Sequence, residues 1–109
     1  MKKPLGIIGV AGAEYRRALA QYERQRPGLG DRFSAAAREA LKMIENFPGA
    51  GEPVERLEEN TRIRKMAMRT FPYHIVYLEL AESSEVIAFA HDRRQEDYWR
   101  VRLKRRSNR

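Results

Sequence analysis

The spacing of apolar residues changes near residue 62, and this change constrains the fold more than any other feature of the sequence. Before it, two segments place apolar residues at every third or fourth position, as on one face of a helix. After it, the apolar runs from His74 to Leu80 and from Val86 to Ala90 flank a short polar stretch, Glu82 to Glu85. Helices that all precede the main strands, instead of alternating with them, indicate an α+β fold.

The first half of the chain predicts a helical hairpin. One helix is expected from Ala13 to Arg26 and a second from Arg32 to Asn46, with Asp31 as the N-cap of the second. Their apolar stripes are Tyr15, Ala18, Leu19 and Tyr22 in the first helix, and Phe33, Ala36, Ala37, Ala40, Leu41 and Ile44 in the second. Because only the four residues from Pro27 to Gly30 join the helices, we expect them to pack antiparallel.

The second half predicts a small antiparallel sheet. Its core strands are expected at Arg64–Arg69, His74–Leu80 and Val86–Ala90, with the last one central because it is uniformly apolar. Pro72 lacks an N–H group and has a φ angle suited to a turn, so it marks the reversal between the first two strands. The helical hairpin is expected to cover one face of this sheet, which leaves the other face open to a partner.

Three further segments have less regular patterns. Gly6 to Val10 is compatible with a short strand, and Gly49 to Asn60 predicts an ordered loop or a poorly formed turn of helix. Asp97 to Leu103 fits either a short helix or an edge strand, and a flexible basic tail is expected from about residue 101. We expect all of these segments to belong to one domain, because 109 residues is a typical domain length.

Composition excludes several kinds of site. The chain has no cysteine, which excludes disulfides and thiolate metal sites and favours a reducing compartment. His74 and His91 have no acidic residue or cysteine at metal-ligand spacing, so neither a metal nor another cofactor is predicted. The apolar run from Leu5 to Val10 is shorter than the core of a signal peptide, and no run approaches transmembrane length. We therefore expect a cytoplasmic protein with no membrane partner.

The positive charge is concentrated near the carboxyl terminus. The formal net charge is +7, and the isoelectric point is near 10.1. From Ala90 to Arg109, eight Lys and Arg residues oppose three Asp and Glu residues, so this segment carries +5 of the +7. Such a balance predicts an anionic partner, either nucleic acid or an acidic protein.

Several motifs, in a fixed order along the chain, carry a family resemblance. They are "AEYRRALAQYERQRPGLGDRF", "NFPGAGEP", an arginine seven residues before the FPY turn (Arg64), "RTFPYHIVYLEL", "VIAFAHDRR" and "YW". From roughly Ala13 to Arg100 the chain resembles the RelE/ParE superfamily of bacterial type II toxins. The Phe71-Pro72-Tyr73 turn favours the ParE-like members. One departure is Gln95-Glu96-Asp97, where many relatives carry a proline.

The resemblance implies a toxin of a toxin–antitoxin pair. Such toxins are small and basic, require no metal or other cofactor, and form hetero-oligomers with a cognate acidic antitoxin. ParE-like members block DNA gyrase, whereas RelE-like members cleave mRNA in the ribosome with Lys, Arg and Tyr side chains. The resemblance therefore implies growth arrest, with gyrase or the ribosome and its mRNA as the target.

The residues of a RelE-like catalytic site are matched only in part. Lys65 and Arg94 match two basic positions of that site, and Tyr98 or Trp99 lies near the position of its tyrosine. Ala67 and His74 stand where relatives carry a lysine and an arginine, although His74 can act as an acid or base near neutral pH. Because the set is incomplete, the sequence favours action by binding and keeps a metal-independent mRNA endonuclease as the alternative.

The residues expected to bind the target or the antitoxin are Arg64, Lys65, Arg69, Arg93, Arg94, Trp99 and Arg100. Structural roles compete with this expectation: Arg64 can pair with an acid on the loop or the helical hairpin, and Trp99 can pack on the sheet. A third function, a non-toxic basic nucleic-acid-binding module, ranks lowest. Single-strand binders place aromatic side chains among the cations of an exposed face, whereas most aromatic residues here lie in apolar runs or at turns.

Overall fold

The computed structural model describes residues 2–107 as an α+β fold, which confirms the predicted class. The elements, in chain order, are β1 (Leu5–Ile7), α1 (Gly9–Gln25), α2 (Leu29–Asn46), a 3₁₀ turn (Pro48–Ala50), β2 (Glu52–Glu58), β3 (Thr61–Ala67), β4 (Tyr73–Glu79), β5 (Ser84–His91) and α3 (Arg100–Ser107). The five strands form one sheet in the order β1-β5-β4-β3-β2. Neighbouring strands are antiparallel except β1, which pairs parallel with β5.

The helical hairpin packs on one face of this sheet, as predicted. Phe33, Ala37 and Ile44 of α2 are fully buried against Ile75 of β4 and Val86 of β5. Aromatic rings extend this core toward the FPY turn, where ring centroids lie 5.0–5.8 Å apart: they are Tyr15, Tyr22, Phe33, Phe71, Tyr73 and Phe89. Burial of these rings supplies much of the stabilisation of so small a domain.

The start of α2 differs from the prediction, because Asp31 is not its N-cap. The helix begins at Leu29, and Gly28 precedes it with φ 92°, a left-handed conformation that glycine adopts without strain. The Glu23 carboxylate of α1 accepts hydrogen bonds from the N–H groups of Gly28 (3.1 Å) and Gly30 (2.9 Å). Asp31 lies in the first turn instead, where its negative charge still favours the helix amino terminus.

The predicted loop from Gly49 to Asn60 is wrong, because β2 occupies most of it. This strand pairs with β3 through two register shifts, and all of its side chains are exposed. An exposed, bulged edge strand has no buried face, so it shows no alternation of apolar residues. The observed β3 lies two to three residues before the predicted strand, and β1 replaces the strand expected from Gly6 to Val10.

The second face of the sheet is not fully open, in contrast to the prediction. The chain after β5 folds back over it and buries Trp99, which is 4% exposed, against Val76, Ile87 and Ala88. The segment from Asp97 to Leu103 was predicted to be either a short helix or an edge strand. It contains the start of α3, so the helix is correct. The predicted flexible tail overlaps α3, and its last two residues lie outside the described residues. No helix within residues 2–107 is both long and apolar enough to span a membrane.

Candidate functional site

A cleft of ≈ 290 Å³ lies between the second face of the sheet and the segment that follows β5. Five of the residues to which the sequence assigned catalytic or binding roles line it: Lys65, His74, Arg94, Tyr98 and Trp99. Side chains two residues apart on a strand point to the same face, which places Lys65 opposite Val76 and Ala67 opposite His74 on this side of the sheet. The β3–β4 register therefore explains why residues separated along the chain meet here.

Acidic side chains share the cleft with these cations. Lys65 and Arg94 contribute two positive charges, whereas Asp92, Glu96 and Asp97 contribute three negative charges, which gives −1 with neutral histidines. The strand residues Val54, Val76 and Ala90 give the cleft an apolar floor, and Trp99 adds an apolar side chain from the segment after β5. Although the protein as a whole is strongly basic, this cleft has mixed charge over an apolar base.

His74 is oriented by Asp92, an aspartate that was not among the predicted site residues. Its Nδ1 lies 2.9 Å from Oδ1 of Asp92, the residue that follows β5. Asp92 is itself held in place, because its N–H group donates to the carbonyl of Pro72 at 2.8 Å. The pair leaves Nε2 of His74 as the nitrogen available to a ligand or a proton.

The hydroxyl of Tyr98 is already engaged inside the protein. It donates to Oε2 of Glu14 at 2.6 Å, and the Arg94 guanidinium carbon lies 3.9 Å from the centroid of its ring. Burial, followed by the hydrogen bond and negative charge of Glu14, raises the pKa of Tyr98 well above its usual value. In this conformation the Tyr98 hydroxyl stays protonated and is committed to Glu14, so it is a poor general base.

Glu14 and Arg102 are the residues at this site that sequence reasoning missed. The Arg102 guanidinium binds both carboxylate oxygens of Glu14 at 2.9 Å. Burial alone raises the pKa of Glu14, but the hydrogen bonds from Arg102, Tyr98 and the Phe89 N–H group outweigh it and lower the pKa. The hydrogen bonds to Glu14 also raise the pKa of the Arg102 guanidinium.

Arg64 lies on the helix side of the sheet, away from the cleft. Its Nε donates to Glu79 of β4 at 2.7 Å, and its Nη1 donates to the carbonyl of Gly51 at 3.0 Å. Arg64 therefore forms a structural ion pair, the alternative to a binding role. Its acidic partner, Glu79, lies on a strand and not on the loop or the helical hairpin. The Arg64 side chain is 16% exposed, which leaves little surface for a partner, and a binding role for it stays a prediction.

The remaining predicted residues divide between two regions. Arg69 is 82% exposed in the turn before Phe71, 3.8 Å from Glu39 of α2, and it does not line the cleft. Arg93 and Arg100 lie in the segment that forms one wall of the cleft. Arg100 connects that segment to β2 through a 2.6 Å hydrogen bond to Glu55.

No metal centre is formed in the part of the chain that the structure describes. Within residues 2–107 no three His, Asp or Glu side chains are grouped as metal ligands.

Comparison with known structures defines the class of the fold. A chain of a chromosomal ParDE TA system from P. aeruginosa superposes with a TM-score of 0.66 and 13% sequence identity, covering 83% of this chain and 96% of that one. No curated protein sequence matches the chain significantly. The family described as "ParE toxin of type II toxin-antitoxin system, parDE" matches residues 11–104. The chain belongs to this family of toxins, as its sequence motifs predicted.

Proposed function

We propose that this toxin arrests growth in the bacterial cytoplasm by binding DNA gyrase, and that a cognate acidic antitoxin neutralises it. The observation that carries the choice of a protein target is the mixed charge of the cleft. Three carboxylates among its lining residues repel a polyanion, whereas an apolar floor with charges around it suits the side chains of another protein.

The broken cation set supports the same choice. Ala67 and His74 lie opposite each other in the β3–β4 register and stand where RelE-like relatives carry a lysine and an arginine, and the Tyr98 hydroxyl is bound to Glu14. A nuclease without a metal must stabilise a dianionic phosphorane with cations, and removal of one such contact costs about 10²–10³ in rate. With two cations missing, cleavage of RNA at this site is disfavoured relative to binding.

Cells that express the chain alone test the proposal. We expect growth arrest accompanied by a DNA-damage response and altered supercoiling of a reporter plasmid, all relieved by co-expression of the antitoxin. The same experiment with Lys65→Ala and Arg94→Ala should give weaker arrest, and Arg38→Ala is the matched control. Arg38 lies on α2, where its exposed side chain contacts Ser34. Rapid loss of translation with intact supercoiling would contradict a gyrase target.

A ribosome-dependent mRNA endonuclease remains the second candidate, and one observation favours it. Lys65, His74 and Arg94 line a single cleft, and Asp92 orients the His74 ring for proton transfer. Purified ribosomes with a defined mRNA separate the candidates. Cleavage in the A site that disappears with Lys65→Ala, Arg94→Ala or His74→Ala would replace the binding mechanism with the catalytic one. Growth without arrest would favour the third candidate, a non-toxic nucleic-acid-binding module.

The antitoxin is proposed to place an acidic stretch along the carboxyl-terminal segment and apolar side chains in the cleft. The segment from Ala90 to Arg109, which includes Arg93, Arg94 and Arg100, carries +5 of the net charge, and this charge orients the partner and accelerates association. Apolar side chains that enter the cleft over Val76 and Trp99 supply most of the affinity.

A further inference from the structure

One carboxylate of α1 gathers four hydrogen bonds from the far end of the chain. Arg102 donates two to Glu14 at 2.9 Å each, the Tyr98 hydroxyl donates one at 2.6 Å, and the Phe89 N–H group donates one at 3.0 Å. The side chains of Glu14 and Arg102 are only 9% and 11% exposed. Charges this well shielded from water depend on each other, because loss of one leaves the other buried without a partner.

This ion pair lies where the sheet would otherwise have an unpaired edge. β1 pairs with β5 only from Ser84 to Val86, and the chain then leaves the sheet to begin α1. Beyond that point Arg102 donates to the carbonyl of Ile87 at 2.7 Å, and Glu14 accepts from the N–H group of Phe89. A further strand would present the same alternation of donor and acceptor, so the ion pair closes the edge that β1 leaves.

The same pair also determines where the wall of the cleft lies. Tyr98 is held at its hydroxyl by Glu14, and its ring carries the Arg94 guanidinium at 3.9 Å. Trp99 follows directly and is buried on the sheet. The Tyr98 side chain therefore contacts Glu14 at its hydroxyl and Arg94 at its ring, and so links the two residues.

We propose that Glu14 is a positioning residue of the target-binding surface. Through Arg102 and Tyr98 it holds the segment from Arg93 to Leu103 against the sheet and places Arg94 beside the cleft. The effect on growth rests on the proposed function, whereas the effect on the segment does not.

Trp99 provides a direct measurement, because it is the only tryptophan of the chain and lies in this segment. Purified Glu14→Gln keeps the size of the side chain but removes its charge. We expect its Trp99 emission to shift to the red and acrylamide quenching to increase, at temperatures where far-ultraviolet dichroism still shows folded helices. Hydrogen exchange of the Phe89 amide should also accelerate.

Glu23→Gln is the matched control. It is the same substitution on the same helix. The Glu23 carboxylate also accepts backbone hydrogen bonds, but its donors are Gly28 and Gly30 at the start of α2. Its Trp99 emission and quenching should equal those of the parent chain. Tyr98→Phe is a second variant in case Glu14→Gln fails to fold: it keeps the ring under Arg94 and should give a smaller shift in the same direction.

Growth arrest at matched soluble levels then tests the functional part. We expect Glu14→Gln to weaken arrest at least about tenfold, the scale of one lost interface contact, and Glu23→Gln to leave it unchanged. Unchanged Trp99 emission in Glu14→Gln and Tyr98→Phe would overturn the proposal, and so would full arrest by a variant whose Trp99 has become exposed. If the parent chain arrests nothing, the proposed function fails, and the Trp99 measurement alone decides whether Glu14 positions the segment.

Discussion

The Tyr77 hydroxyl connects the sheet to the turn that follows α2 through two hydrogen bonds. The Tyr77 hydroxyl, fully buried, donates to the carbonyl of Pro48 at 2.6 Å and accepts from the N–H group of Gly51 at 3.0 Å. Arg64 completes this cluster through the Gly51 carbonyl. These residues explain why the "NFPGAGEP" motif and the strand residue Tyr77 occur together: each satisfies polar groups that the other buries.

Gly51→Ala should destabilise the protein by about 1–3 kcal/mol. A Cβ atom at this position would lie 2.5 Å from the Tyr77 hydroxyl oxygen and 3.0 Å from the Lys65 carbonyl oxygen, so the turn must shift. Urea unfolding measures the change. Gly49→Ala is the control, since its added carbon would have no neighbour nearer than 3.8 Å. Equal midpoints for the two variants would show that the turn is not tightly packed on Tyr77.

Tyr77→Phe should destabilise the protein by about 1–3 kcal/mol, because the substitution leaves the Gly51 N–H group and the Pro48 carbonyl without their buried partner. Thermal and urea unfolding provide the measurement. The comparison is Tyr15→Phe, on α1, whose ring also packs in the core. If both variants lose the same stability, the hydrogen bonds of Tyr77 have no special role.

At the scale of elements, the sequence predicted those elements that bury at least one face. Both helices were predicted because their apolar residues recur at helical spacing, and the strands around Ile75 and Phe89 because each is a nearly continuous apolar run. β2 was missed because it buries nothing. The N-cap of α2 was misassigned because two acids, Glu23 and Asp31, lie near the start of the helix. Sequence spacing does not reveal which of the two side chains accepts hydrogen bonds from the first N–H groups.

The candidate site shows the same limit. Lys65, His74 and Arg94 were placed together because their motif positions match a known arrangement, and the strand register brings them to one cleft. Glu14 and Arg102 were not predicted because they are 88 residues apart and each occurs among other charged residues. Only the fold distinguishes this pair from an exposed Glu and an exposed Arg.

The anchoring of α3 should depend on pH through Glu14. The folded protein lowers the pKa of Glu14 below its ordinary value of 4.5, so its contacts contribute stability above that pH. This contribution is lost as the pH falls below 4.5 and through the lower pKa of the folded state. The difference in unfolding free energy between the parent chain and Glu14→Gln should therefore narrow as the pH falls below 4.5. A difference that stays constant over this range would contradict the role of the Glu14 charge.

At the scale of the whole molecule, the distribution of charge assigns the first encounter with a partner and the final binding to different surfaces. The carboxyl-terminal fifth carries +5 of the net +7, yet the cleft beside it has mixed charge over an apolar floor. An acidic antitoxin would be attracted by the first feature and held by the second. Solvent-exposed charges are screened by salt, whereas apolar contacts are not weakened by it.

The association rate with the antitoxin should therefore fall steeply as salt increases, while the dissociation rate changes little. Replacing Arg93 and Arg100 with Gln should reduce both the rate in low salt and its salt dependence. Stopped-flow fluorescence of Trp99 or a surface-binding assay gives both rates. Arg38→Gln serves as the control for a single charge removed from α2. Identical salt dependence for the parent chain and the Arg93 and Arg100 variant would refute the role of this segment in the encounter.

The most direct test of the central claim is supercoiling by purified DNA gyrase in the presence of the purified chain. Binding through the cleft predicts that the parent chain inhibits supercoiling, that the antitoxin restores it, and that Lys65→Ala with Arg94→Ala weakens inhibition while Arg38→Ala does not. Full gyrase activity at every concentration of correctly folded chain, together with cleavage of mRNA on purified ribosomes, would contradict the account and assign the cleft to RNA.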